Sequence, residues 1–305
     1  MSFARARFAI DARLLALAGC FFQQPNDSLN ASIALCCHVY AVACVCTAVA
    51  LEVCAYVGRS TSHPRIPRRF NSTLFLVIRV VFFVKLVSLR MFLRRASTRI
   101  EKLIAQASGY EESRNIQVKY RCPSLKTAYR WLSFLAVTCF FTSRWHVFVR
   151  TLYAKTPLPV KAFLDFLTLL SASCMAVWDS IHNVLVKYFA EVFTEYLKAE
   201  NVVLTAVAQR KVVGFSGVMN TILSRVRSNY EEIFEMVVAA RSVIGLVVLF
   251  GFTCNVVILC AVLYSYTDNT TTISLLLSGT FYAVHVIADT LNVVFAVETL
   301  ASEVK

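Results

Sequence analysis

The chain has 305 residues, 58% of them hydrophobic and only 16% charged, with a net charge of +13. That composition argues against a soluble enzyme of this length and for a polytopic membrane chain. The excess of Lys and Arg fits cytoplasmic loops facing anionic lipid better than a nucleic-acid surface, so no nucleic-acid partner is expected.

Residues 1–31 form a cytoplasmic N-terminal segment. Arg5, Arg7 and Arg13 precede LLALAGCFF, a pattern that resembles a signal peptide. The apolar run is short, and Phe-Phe-Gln-Gln-Pro follows without small residues at a cleavage site, so the segment reads as an interfacial amphipathic helix, with a cleaved signal as the alternative. Apolar segments then fall at Ser32–Val57, Thr73–Leu93, Ala128–Val149, Ala162–Tyr188, Ser242–Tyr266 and Ile273–Leu300. The fifth holds no charged residue and at about 1.5 Å per residue is long enough for a hydrocarbon layer of about 30 Å. The expected fold is therefore all-α: a six-span membrane bundle over 32–300, with internal loops at 94–127 and 189–241 and a short tail at 301–305. Nine of the eleven cysteines lie in apolar stretches and act as small hydrophobes, and no metal site or cofactor is expected.

Orientation follows from Lys and Arg. The second loop carries Arg94, Arg95, Arg99, Lys102, Arg114, Lys119, Arg121 and Lys126; the fourth carries Lys198, Arg210, Lys211, Arg225, Arg227 and Arg241. This excess places those loops and the N-terminus in the cytoplasm, in a multi-pass plasma-membrane protein. The sequons of Asn71 and Asn269 then lie outside, whereas those of Asn26 and Asn30 lie inside.

Two internal segments carry helical stripes of their own. Leu185, Tyr188, Phe189, Val192, Phe193, Tyr196 and Leu197 continue the fourth span, and Val226, Tyr230, Ile233 and Val237 lead without a breaker into the fifth, with Arg227 and Glu231 paired at i, i+4. These helices pack on each other or on a partner, or lie on the membrane surface.

Ionisable groups inside spans cost from about 2.5 kcal/mol upward at the centre, so each needs a partner, a route to the interface or a function. Glu52 and Arg79 lie at similar depth in adjacent spans, as an ion pair or the wall of a ligand pocket. Lys85 is deeper and snorkels only in part. Asp165 is near the outer interface. Asp179, His182 and Asn183 share a region of the fourth span, and Tyr282, His285 and Asp289 share one face of the sixth at i, i+3, i+7. An interhelical hydrogen-bond network and a ligand contact both fit that face. No phosphate loop, His-Glu-x-x-His or nucleophile elbow occurs, so no enzyme is expected.

The stretch VRSNYEEIFEMVVAARSVIGLVVL, with Arg227, Tyr230, Ile233, Val237, Gly245 and Leu249 in register and Tyr264 farther along, resembles the segment entering the fifth helix of arthropod gustatory receptors. NVLVKYFAEVFTEYLKAENVVL is similar to the end of that family's fourth helix, and NVVFAVETLASEVK to the end of its sixth. The resemblance covers about Asn183 to the last residue. It implies a subunit of a tetrameric ligand-gated cation channel, homomeric or heteromeric, opened by a small-molecule tastant and embedded in lipid. The seventh, pore-lining helix of that family, with its Thr-Tyr and Gln-Phe signature, has no counterpart here. An incomplete chain is therefore expected, and residues 1–305 alone should not conduct. The alternative is a small secondary transporter or another polytopic membrane protein built on the same charged positions.

The charge asymmetry makes one prediction. Glycosidase treatment of the expressed protein will either leave its mobility unchanged or give a shift that Asn71→Gln or Asn269→Gln removes. A shift removed by Asn26→Gln or Asn30→Gln reverses the orientation.

Overall fold

The computed structural model describes residues 70–114, 116, 157–209, 216–266 and 273–304, together with single residues between 3 and 50. Apart from Ile116, Pro157 and Tyr266 the described residues are helical, most of them in four long helices: α1 (Phe70–Arg114), α2 (Leu158–Gln209), α3 (Ser216–Ser265) and α4 (Ile273–Val304). They contain the second, fourth, fifth and sixth apolar segments. The third, Ala128–Val149, lies outside the described residues, as does most of the first, although Leu35, Tyr40 and Ala50 within it are helical. Among the described residues, α3 over Met219–Tyr264 and α4 over Gly279–Val304 are long and apolar enough to cross a membrane.

The helix ends are set by local chemistry. α2 starts behind Pro157, whose carbonyl accepts from Val160 and Lys161 at 3.1 and 3.2 Å, and Pro159 occupies the first turn, where its missing N–H costs nothing. α1 closes with Arg114 in its last turn, favourable to the helix dipole, and with Ile116 N–H donating to the Glu111 carbonyl at 3.1 Å.

Both helical stripes read from the sequence belong to unbroken helices. α2 has 52 residues and α3 has 50, so each is about 75 to 78 Å long, more than twice the thickness of a hydrocarbon layer. Their extensions pack on each other: Asn229 of α3 donates to Glu200 of α2 at 2.8 Å, and the Tyr230 hydroxyl bonds to Asn201. A third extension differs from the loop expected at 94–127. Arg94 to Arg114 continues α1 as helix, because Ile100, Leu103, Ile104, Ala107 and Tyr110 recur at three- and four-residue steps and are all buried.

α1 packs chiefly on α3, and α2 lies against both α3 and α4. The core runs the length of the bundle, from Leu86, Leu89 and Trp178 through Leu185, Val192 and Ile244 to Tyr196, Ile233 and Tyr110. Aromatic rings dominate the extended half, with Tyr188–Phe189, Phe189–Phe193 and Tyr110–Tyr196 centroids at 4.9, 5.9 and 5.0 Å. N-terminal residues join that end: Phe3, Ala4 and Phe8 are buried, Ala4 N–H donates to Glu111 at 2.8 Å, and Tyr188 donates to the Ala4 carbonyl at 3.0 Å.

Elsewhere the polarity is inverted relative to a soluble protein. Leu246, Leu249, Phe281, Val284 and Phe295 point outward, each more than half exposed, while Lys85, Asp179, His182, Asn183, Asn255 and His285 are buried. Contiguous apolar surface of this kind suits lipid, and polar groups are brought inside to meet one another.

Truncating the aromatic core of the extensions has a calculable cost. Phe193→Ala, at a site 2% exposed, should destabilise by about 3–5 kcal/mol. Val202→Ala, farther along the same helix at a site 68% exposed, should stay within about 0.5 kcal/mol. Thermal unfolding in detergent distinguishes the two; equal shifts would mean that the extensions do not pack as described.

Candidate functional site: a buried polar junction of four helices

Each helix contributes one side chain to a junction in the apolar half of the bundle. Lys85 on α1 is fully buried, and its ammonium donates both to Asp179 Oδ1 on α2 and to Asn255 Oδ1 on α3. The other Asp179 oxygen accepts from the Tyr282 hydroxyl of α4 at 3.0 Å. Two opposite charges therefore meet out of water, and two neutral groups take up hydrogen-bonding capacity that the ion pair leaves over. That combination makes a buried pair tolerable, because desolvation of either charge alone would cost several kcal/mol.

Helical periodicity sets the rest of the site. His182 follows Asp179 by three residues and Asn183 by four, so both lie beside it on α2. The Asn183 amide donates to Asp289 Oδ2 on α4 at 2.6 Å. His285, three residues after Tyr282, has its ring centroid 6.5 Å from the phenol ring. The His182 ring meets Phe252 edge-on at 6.0 Å and presses on the α3 backbone at Gly251. One level below, the Arg90 guanidinium lies 5.2 Å from the Trp178 ring centroid, a cation–π contact between α1 and α2. The buried polar atoms without a hydrogen-bond partner among the described residues include Asn183 Oδ1 and His285 Nδ1.

A second set of contacts ties the extended ends. The Tyr196 hydroxyl is 2.5 Å from Glu111 Oε1 and 3.1 Å from the Ala107 carbonyl oxygen, and Tyr110 donates to Glu200 at 3.0 Å. Burial, and then the carboxylate each phenol meets, push both tyrosines far above the usual range, so they stay neutral donors at any physiological pH. Asn201 reaches α4, donating to the Glu303 carbonyl and carboxylate at 3.0 and 3.1 Å.

The structure brings together some of the residues singled out in the sequence and leaves others apart. Lys85, Tyr282, His285 and Asp289 all lie in or beside the junction. Lys85 is not partly snorkelled but wholly enclosed, because Asp179 and Asn255 meet its ammonium. Asp165 is exposed near the start of α2, away from the junction. The Arg79 side chain and all of Glu52 and Asn269 lie outside the described residues, as does the Asn71 side chain, so the Glu52–Arg79 pair does too. Arg227 is exposed and paired with Glu231 at 3.0 Å, Tyr230 sits between α3 and α2, and Leu249 faces outward. Gly245 and Tyr264 are half-buried on α3. Asn255 and Gly251 were not anticipated; a lone amide and a glycine within an uncharged tract were their only signals.

Among the described residues no group of three or more His, Cys, Asp or Glu is placed to hold a metal ion. The arrangement contains acids, bases and amides but no activated nucleophile, and its chemistry is charge neutralisation and hydrogen bonding between helices. No protein-family model matches the chain, and no curated protein matches it.

Gly251 makes the junction testable by sterics. A Cβ there would stand 2.5 Å from His182 Cδ2 and 2.7 Å from Nε2, so Gly251→Ala must displace a buried ring. It should destabilise by about 1–3 kcal/mol, and His182→Ala in the same chain should recover part of that loss. A loss unaffected by His182→Ala would place the strain elsewhere.

Proposed function

We propose that the chain is a multi-pass plasma-membrane chemosensory receptor subunit of gustatory type, whose helical bundle takes a small-molecule tastant and passes a shape change to a cation-conducting pore. The resemblance over Asn183 to Lys305 supports the family reading. The observation that carries the mechanism is the junction of Lys85, Asp179, Asn255 and Tyr282, which makes all four helices share one polar contact. A ligand that competes for one of its hydrogen bonds, or completes those missing at His285 and Asn183, changes the relative free energy of two packings of the bundle. Three of these helices run on to the Tyr196–Glu111, Tyr110–Glu200 and Asn229–Glu200 contacts, so a shift at the junction reaches the opposite end.

The binding residues in this reading are Tyr282, His285 and Asp289 on one face of α4, with Lys85 and Asp179 as the charges that hold the resting packing. No cofactor takes part. The competing reading is a proton-coupled carrier, favoured by the close grouping of Asp179, His182, His285 and Asp289.

One experiment separates them. The purified chain in detergent is screened against sweet, bitter and volatile compounds by thermal unfolding. A ligand present at 100 times its Kd should stabilise the protein by about 2.7 kcal/mol, and His285→Ala should remove that effect while leaving the ligand-free midpoint within a few degrees. Accumulation of solute in proteoliposomes driven by a pH gradient, with no stabilising agonist, would replace the receptor with the carrier.

A further inference from the structure

The outer face of α1 changes character abruptly. Val80, Val84, Val87 and Met91 form an exposed apolar row at three- and four-residue steps, and the same row continues into Arg95, Thr98 and Lys102, with Arg99 beside it. All three cationic side chains are exposed, whereas Leu93, Ile100 and Leu103 of the same stretch are buried.

What sets this row apart is its level in the bundle. α1 and α3 run antiparallel in step between the Phe92–Phe250 ring contact and the Arg114–Glu232 ion pair. Arg94 to Arg99 therefore stand level with about Ile244 to Val248 of α3, whose outward residues here are Leu246 and Leu249, 61% and 65% exposed. Taken through α2 by Arg90–Trp178, Tyr196–Ala107, Asn183–Asp289 and Asn201–Glu303, the same level on α4 falls at about Ala288 to Asn292, where Ile287 and Leu291 face outward. Two neighbours thus present apolar side chains at a height where α1 presents the guanidinium groups of Arg95 and Arg99. Escape toward water is hindered as well. Side chains on a helix lean toward its N-terminus, and α1 enters this region from the apolar half, so its arginines lean back toward the hydrocarbon.

We propose that this face of α1 binds the headgroup of an anionic phospholipid, with Arg95, Arg99 and Lys102 around its phosphate. Drawing a headgroup inward neutralises charges that would otherwise sit at the depth of acyl chains, and guanidinium groups match phosphate oxygens in bidentate geometry. By the orientation argued from charge, the lipid belongs to the cytoplasmic leaflet, where anionic species are concentrated. The inference rests on the helices lying in a membrane and not on tastant recognition, so it can fail or hold independently of the sensory reading.

The test titrates phosphatidylserine, and in parallel phosphatidylcholine, into the purified 305-residue chain in neutral detergent and follows the thermal midpoint. Phosphatidylserine should raise it and phosphatidylcholine should not. The triple variant Arg95→Gln, Arg99→Gln, Lys102→Gln should need roughly 100-fold more phosphatidylserine for half the effect. The exposed pair Lys198→Gln, Arg225→Gln should respond as the wild type does. An equal loss in that pair would mean diffuse charge attraction, and equal stabilisation by inorganic phosphate or soluble inositol hexakisphosphate would mean a free-anion site; either overturns the proposal. Should the triple variant fail to fold, Arg99→Gln alone is compared by native mass spectrometry. Retention of phosphatidylserine equal to the wild type would overturn the proposal, and a clear reduction would support it.

Discussion

A primary ammonium enclosed between helices cannot stay charged without an anion, and that requirement organises this bundle. Lys85 is met by Asp179 and Asn255, and Asp179 is in turn completed by Tyr282. Because each partner comes from a different helix, the contact fixes more than one distance. It sets the depth of α1 against α2, the antiparallel register of α3 and the rotation of α4. In apolar surroundings little else discriminates one sliding register from another, since Leu and Val pack almost equally well a turn up or down. A pair that must meet to avoid an isolated charge discriminates strongly.

α2 is the hub of this arrangement. Its inward face carries the charge at one level, the His182 contact with Gly251 beside it and the aromatic ladder from Tyr188 to Tyr196 farther on. At the far end its Glu200 and Asn201 collect α1, α3 and α4 through Tyr110, Asn229, Tyr230 and Glu303. The two ends are chemically different. One is a desolvated ion pair whose rearrangement is costly, and the other a network of tyrosine hydroxyls on the carboxyl groups of Glu111 and Glu200 that also holds the backbone of Ala4. Long helices joined at both ends by such clamps tie the packing at one end of the bundle to the packing at the other, as the proposed sensory function requires.

Helical periodicity made part of this legible. Tyr282, His285 and Asp289 fall on one face by spacing alone, and the continuation of α2 and α3 followed from apolar stripes with no Gly or Pro to stop them. The continuation of α1 was hidden because Arg94, Arg95, Arg99, Glu101 and Lys102 crowd the same stretch as Ile100, Leu103 and Ile104, and dense charge reads as a solvated loop. The pairing of Lys85 with Asp179 was hidden for another reason. The two lie 94 positions apart, and no local pattern says which charge on one helix meets which on another. Asn255 gave no signal beyond being polar in an uncharged tract.

The central claim is that the Lys85–Asp179 contact holds the helices in register. A double-mutant cycle with Lys85→Met and Asp179→Asn, read by thermal or denaturant unfolding in detergent, tests it most directly. Each single change leaves a buried charge alone and should cost about 3–5 kcal/mol, while the double variant should be at least as stable as either single one. Losses that simply add would show that the two side chains do not meet and that the register is held by something else.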